Sequence, residues 1–223
     1  MTQGPTLVFC TSYVADALAW KLRYQRWLAH HRALPWRDAQ FCLIDDASPY
    51  WPPAAEATSL RIGQPLPPAA PPLLMLHFGE RLGRSGVTHY PGWWRSFLHS
   101  VEVARHYDCA KIVHIESDAF VLSRRMHAFI ESRERGWTAF WCQRWQFPET
   151  AIQVICADQY EAMDRVSAIG WDRLGGQLAE RVLPFTEVVR DPHGDRYGEH
   201  RSRIPGFADF AVQVSPRHRV WFR

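Results

Sequence analysis

Two of this chain's apolar runs end abruptly on acidic side chains. Phe41-Cys42-Leu43-Ile44 stops at Asp45-Asp46, and Lys111-Ile112-Val113-His114-Ile115 runs straight into Glu116-Ser117-Asp118. Short apolar runs of strand-forming residues read as strands buried on both faces, the kind that builds parallel sheets. Such strands need helices on both sides, which restricts the fold to α/β layers. Ligands of these sheets gather beyond the carboxyl ends of the strands. Both acidic groups fall at that edge.

The other segments agree with this pattern. Thr6–Cys10 is a first strand, followed by the turn Thr11-Ser12-Tyr13, with Ser12 or Asp16 as a helix N-cap. Between Ala17 and Ala29, Leu18, Trp20, Leu22, Tyr24, Trp27 and Leu28 recur at helical spacing, leaving Lys21, Arg23 and Arg26 on the other face. Residues 49–72 hold eight prolines in 24 residues and read as a long surface loop without a regular element. Leu73–Leu76 predicts a third strand, Ser96–His106 a helix, Ser123–Glu131 a helix, Trp137–Cys142 and Ala151–Cys156 strands, and Asp158–Ile169 a helix capped by its aspartate. The last forty residues read mostly as loop. The sum is a single open, mainly parallel, Rossmann-like sheet flanked by helices, with residues 1–223 as one domain.

Size and charge bound the function. At 223 residues the chain can bury about 70% of its unfolded surface without staples. With 26 basic and 23 acidic side chains, the net +3 is too small for a nucleic-acid binder, though it suits an anionic ligand or a peripheral membrane contact. Five scattered cysteines without a CxxC pair read as buried thiols in a reducing, cytoplasmic setting. No apolar run reaches the ~20 residues of a membrane span, and Met1–Pro5 lacks the features of a signal peptide.

The candidate chemistry follows from residue type. Alternation puts Glu116 and Asp118 on one side of an extended chain, where carboxylates can share a hard cation such as Mn²⁺ or Mg²⁺ with a substrate's phosphates; equally, one can cap the next helix and the other be solvated. Asp45 and Asp46 can accept from a ribose or a base, or simply build a turn. Arg81 and Arg84 suit a diphosphate, and a solvated basic loop is the alternative.

Taken in order, the turn at Thr11-Ser12-Tyr13, Asp45-Asp46-Ala47-Ser48 and Glu116-Ser117-Asp118 resemble the nucleotide-sugar-dependent glycosyltransferases of the GT-A fold, over Thr6–Val121, about half of the chain. The resemblance implies that residues 1–121 bind the nucleotide sugar and residues 122–223 face the acceptor, a saccharide or lipid-linked sugar. It maps nucleoside and diphosphate contacts to Thr11, Ser12, Tyr13, Asp45, Asp46, Arg81, Arg84 and Ser117. It places a Mn²⁺ or Mg²⁺ ion on Glu116 and Asp118, with Glu departing from the family's D-x-D in the first position, and with His193, or alternatively His200, completing the shell. For the catalytic base it leaves Glu187 and Asp191, beside His193, with Glu149 in the same half. Gln143-Arg144-Trp145 matches part of a motif of processive members, but its place directly after a strand is wrong for that role. Two other readings stay open: a metal-dependent nucleotidyltransferase, disfavoured by the lack of a glycine-rich loop after the first strand, and a non-catalytic carbohydrate- or nucleotide-binding protein.

Overall fold

The computed structural model describes residues 4–223, so Met1–Gln3 of the Met1–Pro5 segment lies outside the described residues. The strands, in chain order, are β1 (Thr6–Ser12), β2 (Ala39–Asp45), β3 (Thr58–Arg61), β4 (Leu74–His77), β5 (Lys111–Ile115), β6 (Phe120–Val121), β7 (Trp137–Cys142), β8 (Phe147–Cys156), β9 (Glu187–Val189), β10 (Gly194–Asp195) and β11 (Phe210–Ala211). Eight of them form one sheet in the order β3-β4-β2-β1-β5-β8-β7-β9, and β10-β11-β6 form a small second sheet. From β3 to β5 every pairing is parallel, β8 runs antiparallel to both β5 and β7, and β9 pairs parallel with β7. The expected mainly parallel α/β sheet is the observed one.

Alternation along the central strands splits the core in two. Val8, Leu43, Met75 and Val113 point to one face, against Trp27 and Leu28 of the first helical segment and Met126 and Ile130 of the Arg124–Ser132 helix. Leu7, Phe9, Ile44 and Ile112 point to the other, against Trp94, Phe97 and Val101 of the Pro91–His106 helix and Met163 of the Tyr160–Ser167 helix. All seven residues of β1 and all five of β5 are buried, which is why their sequences are almost continuously apolar. All five cysteines are free and buried.

Several local expectations are corrected. The Pro-rich loop contains β3, a short edge strand; Thr58–Arg61 is a proline-free stretch that keeps its donors, so it can pair with β4. The helix expected at Ser96 begins at Pro91, a residue suited to the first helical position because its missing N–H would be unpaired there. Asp158 caps no helix; its carboxylate accepts from the Gly136 amide at 2.9 Å. The first helical segment is not regular. Ala17–Ala19, capped by Asp16 accepting from the Ala19 amide at 2.7 Å, passes into a π-helical stretch, Trp20–Gln25, before Arg26–Arg32 resumes as α-helix. Trp20 and Tyr24 are buried, continuing the face of Trp27, Leu28 and His31, while Leu18 and Leu22 lie on the opposite side and are exposed.

Candidate active site

β1 lies between β2 and β5, and the chain leaves it first toward one side and later toward the other. A crevice must open where the two directions part, beyond the strands' carboxyl ends. A cavity of about 620 Å³ occupies that place. It is lined by Thr11 and Ser12, which the structure makes the end of β1 where a turn was expected, by Tyr13 just beyond them, and by the Glu116-Ser117-Asp118 segment after β5. Of the expected contacts, Thr11, Ser12, Tyr13, Asp46, Arg81, Arg84, Glu116, Ser117 and Asp118 all line it.

The acids after β2 are committed to the protein. Asp45 is wholly buried and does not line the cavity: its carboxylate accepts from the Ser12 hydroxyl at 3.3 Å and the Ser48 amide at 2.6 Å, and lies 3.1 Å from His77 Nδ1. Its expected contact with a nucleoside is corrected to a brace between the β1 and β2 turns. Asp46 accepts from the amides of Leu82 (3.2 Å) and Gly83 (2.6 Å) and from Arg95 (2.6 Å). It lies over Gly92, where a side chain would collide with it: a Cβ there would be 2.2 Å from Asp46 Oδ2. Asp46 thus pins residues 78–90, which carry Arg81 and Arg84. The Arg81 guanidinium stands 3.7 Å from the Tyr13 ring centroid, and Arg84 lies 5.9 Å from that of Tyr90. Among the described residues no carboxylate forms an ion pair with either arginine.

The acids after β5 differ sharply from each other. Glu116 accepts from the Thr11 hydroxyl (2.9 and 3.0 Å to its two oxygens) and from Trp93 Nε1, and lies 3.1 Å from His114 Nε2. Burial pushes its pKa up, but these donors together outweigh burial and hold it below the usual carboxylate range. Asp118 faces Arg23, whose guanidinium is 3.5 Å away and also donates to the Ser117 hydroxyl. Here burial prevails over the pull of Arg23, with Glu116 adding to it, and the Asp118 pKa is raised.

Of the acids considered for the base, Glu149 is the one that lines the cavity, with partners, Glu180, Arg196 and Glu199, that the sequence did not suggest. Glu149 at the start of β8 is almost fully buried and takes two bonds from Arg196, 2.6 Å from Nε and 3.3 Å from Nη2. Burial raises its pKa against the lowering pull of Arg196, and neighbouring Glu180 raises it further. Glu180, on the short Ala179–Val182 helix, accepts from the Thr150 hydroxyl at 3.0 Å and stands 3.8 Å from Arg196. Glu199 is 3.4 Å from the same guanidinium. All four line the cavity.

The expected catalytic acids lie elsewhere. Glu187 sits on edge strand β9 paired with Arg133, and Asp191 is exposed and paired with Arg125 at 2.8 Å. Neither lines the cavity. His193 is also remote from it, with its backbone amide donating to Asp209 and its ring 3.3 Å from the Tyr197 hydroxyl. The trio Glu116, Asp118 and His193 is therefore not assembled, and among the described residues no group of three or more His, Cys, Asp or Glu is placed to hold a metal ion. Glu116 meets Trp93, His114 and a share of the Thr11 hydroxyl at Oε1 and only that shared hydroxyl at Oε2, and Asp118 is matched with a cationic side chain. A Mn²⁺ or Mg²⁺ ion at Asp118 would have to compete with the Arg23 guanidinium.

No protein-family model matches the chain, and no curated protein does. Among solved structures 68 chains match. One is a glycosyltransferase involved in the glycosylation of the major capsid of PBCV-1, which aligns with a TM-score of 0.50 at 12% identity over 93% of this chain and 92% of that chain. The likeness is one of fold: a Rossmann-like α/β sheet flanked by helices. No helix among the described residues is long and apolar enough to cross a membrane.

Proposed function

We propose that this chain is a glycosyltransferase of GT-A type, moving a sugar from a nucleotide-diphosphate donor to a saccharide acceptor. The observation that carries the reading is the cavity at the β1/β5 switch point, lined both by three arginines, Arg23, Arg81 and Arg84, and by a carboxylate pair, Glu149 and Glu180. A diphosphate leaving group gathers negative charge as the glycosidic bond breaks, and preset cationic groups lower that barrier. Guanidinium groups match phosphate oxygens in geometry as well as charge.

Glu180 is the carboxylate placed to serve as base. Glu149 is bound twice by Arg196, whereas Glu180 keeps only the Thr150 hydroxyl and a longer approach to Arg196. In the proposed step the acceptor hydroxyl oxygen bonds to the anomeric carbon, the bond from that carbon to the diphosphate oxygen breaks, and the hydroxyl proton passes to Glu180. The nucleoside diphosphate departs against the arginines. Asp45 and Asp46 act on the donor indirectly, by holding the turns that carry Ser12, Tyr13, Arg81 and Arg84. The sharing of a fold with a glycosyltransferase supports sugar transfer as the reaction class.

The test is calorimetric titration with UDP, GDP and their common sugar conjugates, followed by donor turnover with candidate saccharides. Micromolar binding of one nucleotide, with turnover reduced at least a hundredfold in Glu180→Gln, is the expected result. If no nucleotide or nucleotide sugar binds under any condition, the reading is wrong.

A further inference from the structure

Resting on that reading, we propose that Arg23 takes the place a divalent cation would hold beside Asp118, so that the donor's diphosphate is gripped by guanidinium groups and binds without added metal. Arg23 reaches both ends of the Ser117-Asp118 step, donating to the Ser117 hydroxyl and standing 3.5 Å from Asp118. A cation introduced at Asp118 would have to displace this guanidinium or sit beside it against like charge. At Glu116, Trp93 and His114 crowd Oε1, and the Thr11 hydroxyl shares its one proton between the two oxygens.

The placement of Arg23 is built into the fold. It rides on the π-helical stretch Trp20–Gln25, a geometry that recurs at functional sites. The next residue, Tyr24, is buried and clamps the β1 turn: its hydroxyl accepts from the Tyr13 amide at 3.0 Å and donates to the Tyr13 carbonyl at 3.1 Å. The same turn supports Arg81 through the Tyr13 ring. Arg23, Arg81 and Arg84 thus converge on one cavity, and the latter two have no carboxylate partner among the described residues. Uncommitted guanidinium groups facing one pocket call for a multiply charged anion.

The test is calorimetry with UDP, GDP and inorganic pyrophosphate, each in EDTA and in Mn²⁺, on the wild type, Arg23→Ala and Arg81→Ala. Affinity within twofold between EDTA and Mn²⁺ is expected for the wild type, with at least tenfold weakening in each variant. Arg81 has no ion-pair partner to strand, so its variant keeps the test valid if Arg23→Ala folds poorly. In Arg23→Ala, Mn²⁺ should recover part of the lost affinity, because Asp118 is then free to take a cation. Nucleotide binding that requires Mn²⁺ and vanishes in EDTA overturns the inference and leaves the donor reading standing. Pyrophosphate binding in EDTA without nucleotide binding overturns the donor reading and keeps the arginine site. No binding of any of the three, with or without Mn²⁺, overturns both.

Discussion

Replacing Gly92 by alanine is expected to unfasten the wall of the cavity that carries Arg81 and Arg84. The new Cβ would lie 2.2 Å from Asp46 Oδ2 and 2.6 Å from its Cγ, far inside van der Waals contact. Gly92 belongs to the first turn of the Pro91–His106 helix, so its backbone has little room to retreat. The Asp46 carboxylate must then swing off the Leu82 and Gly83 amides and off Arg95. Hydrogen bonds to a charged group contribute roughly 1.5–3 kcal/mol each. Water can replace much of this for a half-exposed loop, leaving about 2–4 kcal/mol for the three together. Alanine returns up to about 1 kcal/mol over glycine within a helix. The net loss is about 1–3 kcal/mol, or roughly 3–10 °C in Tm for a chain of this length. Thermal unfolding measures it, and nucleotide affinity should fall in parallel as the two arginines lose their anchor. The decisive comparison is a double-mutant cycle. Asp46→Ala removes the obstacle, so adding Gly92→Ala to it should leave Tm unchanged or raise it slightly. Full additivity of the two losses would refute the argument, since Gly92 would then not be making room for that carboxylate.

Three further outcomes are expected. Glu116 has its pKa held below the ordinary carboxylate value, so its contribution to stability is fully present above about pH 4.3 and is lost as pH falls through the lowered folded-state pKa. Glu116→Gln should therefore lower the urea midpoint at pH 7 and flatten its decline below about pH 4, and an unchanged acid limb would count against the assignment. In Glu180→Gln, donor affinity should stay within about twofold while turnover falls by 10²-fold or more; an equal loss in both would make Glu180 a donor contact instead. Gly198→Ala places a Cβ 1.7 Å from the Gln213 carbonyl oxygen, a clash with backbone that no side-chain rotation relieves. A loss of about 3 kcal/mol is expected in chemical denaturation, and wild-type stability would show that the segment bearing Arg196 and Glu199 is looser than its packing implies.

The parts of this architecture legible in the sequence are those where one local signal suffices. β1, β2, β4 and β5 announce themselves as short apolar runs because both faces are buried, and acids mark the carboxyl ends of β2 and β5. β3 was hidden by the prolines on either side of it, although four residues with free donors are enough for an edge strand. The partners of Glu149 were harder to see. Arg196 and Glu149 are 47 positions apart, and only the chain's return through β10 brings them together. Glu187 and Asp191 looked suitable as bases because they are acidic and close to His193, yet each is matched to an arginine at the surface, which no spacing rule reveals. Arg23 is on the exposed face, as a helical count expects, yet it also lines the cavity, and the π-helical stretch Trp20–Gln25 that carries it leaves no mark in the spacing of the apolar residues.

That stretch has a consequence for how such a chain can diversify. A π turn is equivalent to one residue more than a regular helix needs, absorbed as a local bulge while the segments on either side keep their places. Losing one residue between positions 20 and 25 would let the coil close up, with Trp27, Leu28 and His31 still seated against the sheet and the guanidinium carried around the axis, away from the crevice. The grip on the anion and the integrity of the scaffold are therefore encoded separately. Under the proposed function, a single-codon deletion retires the one and spares the other, leaving a folded relative that no longer grips the donor.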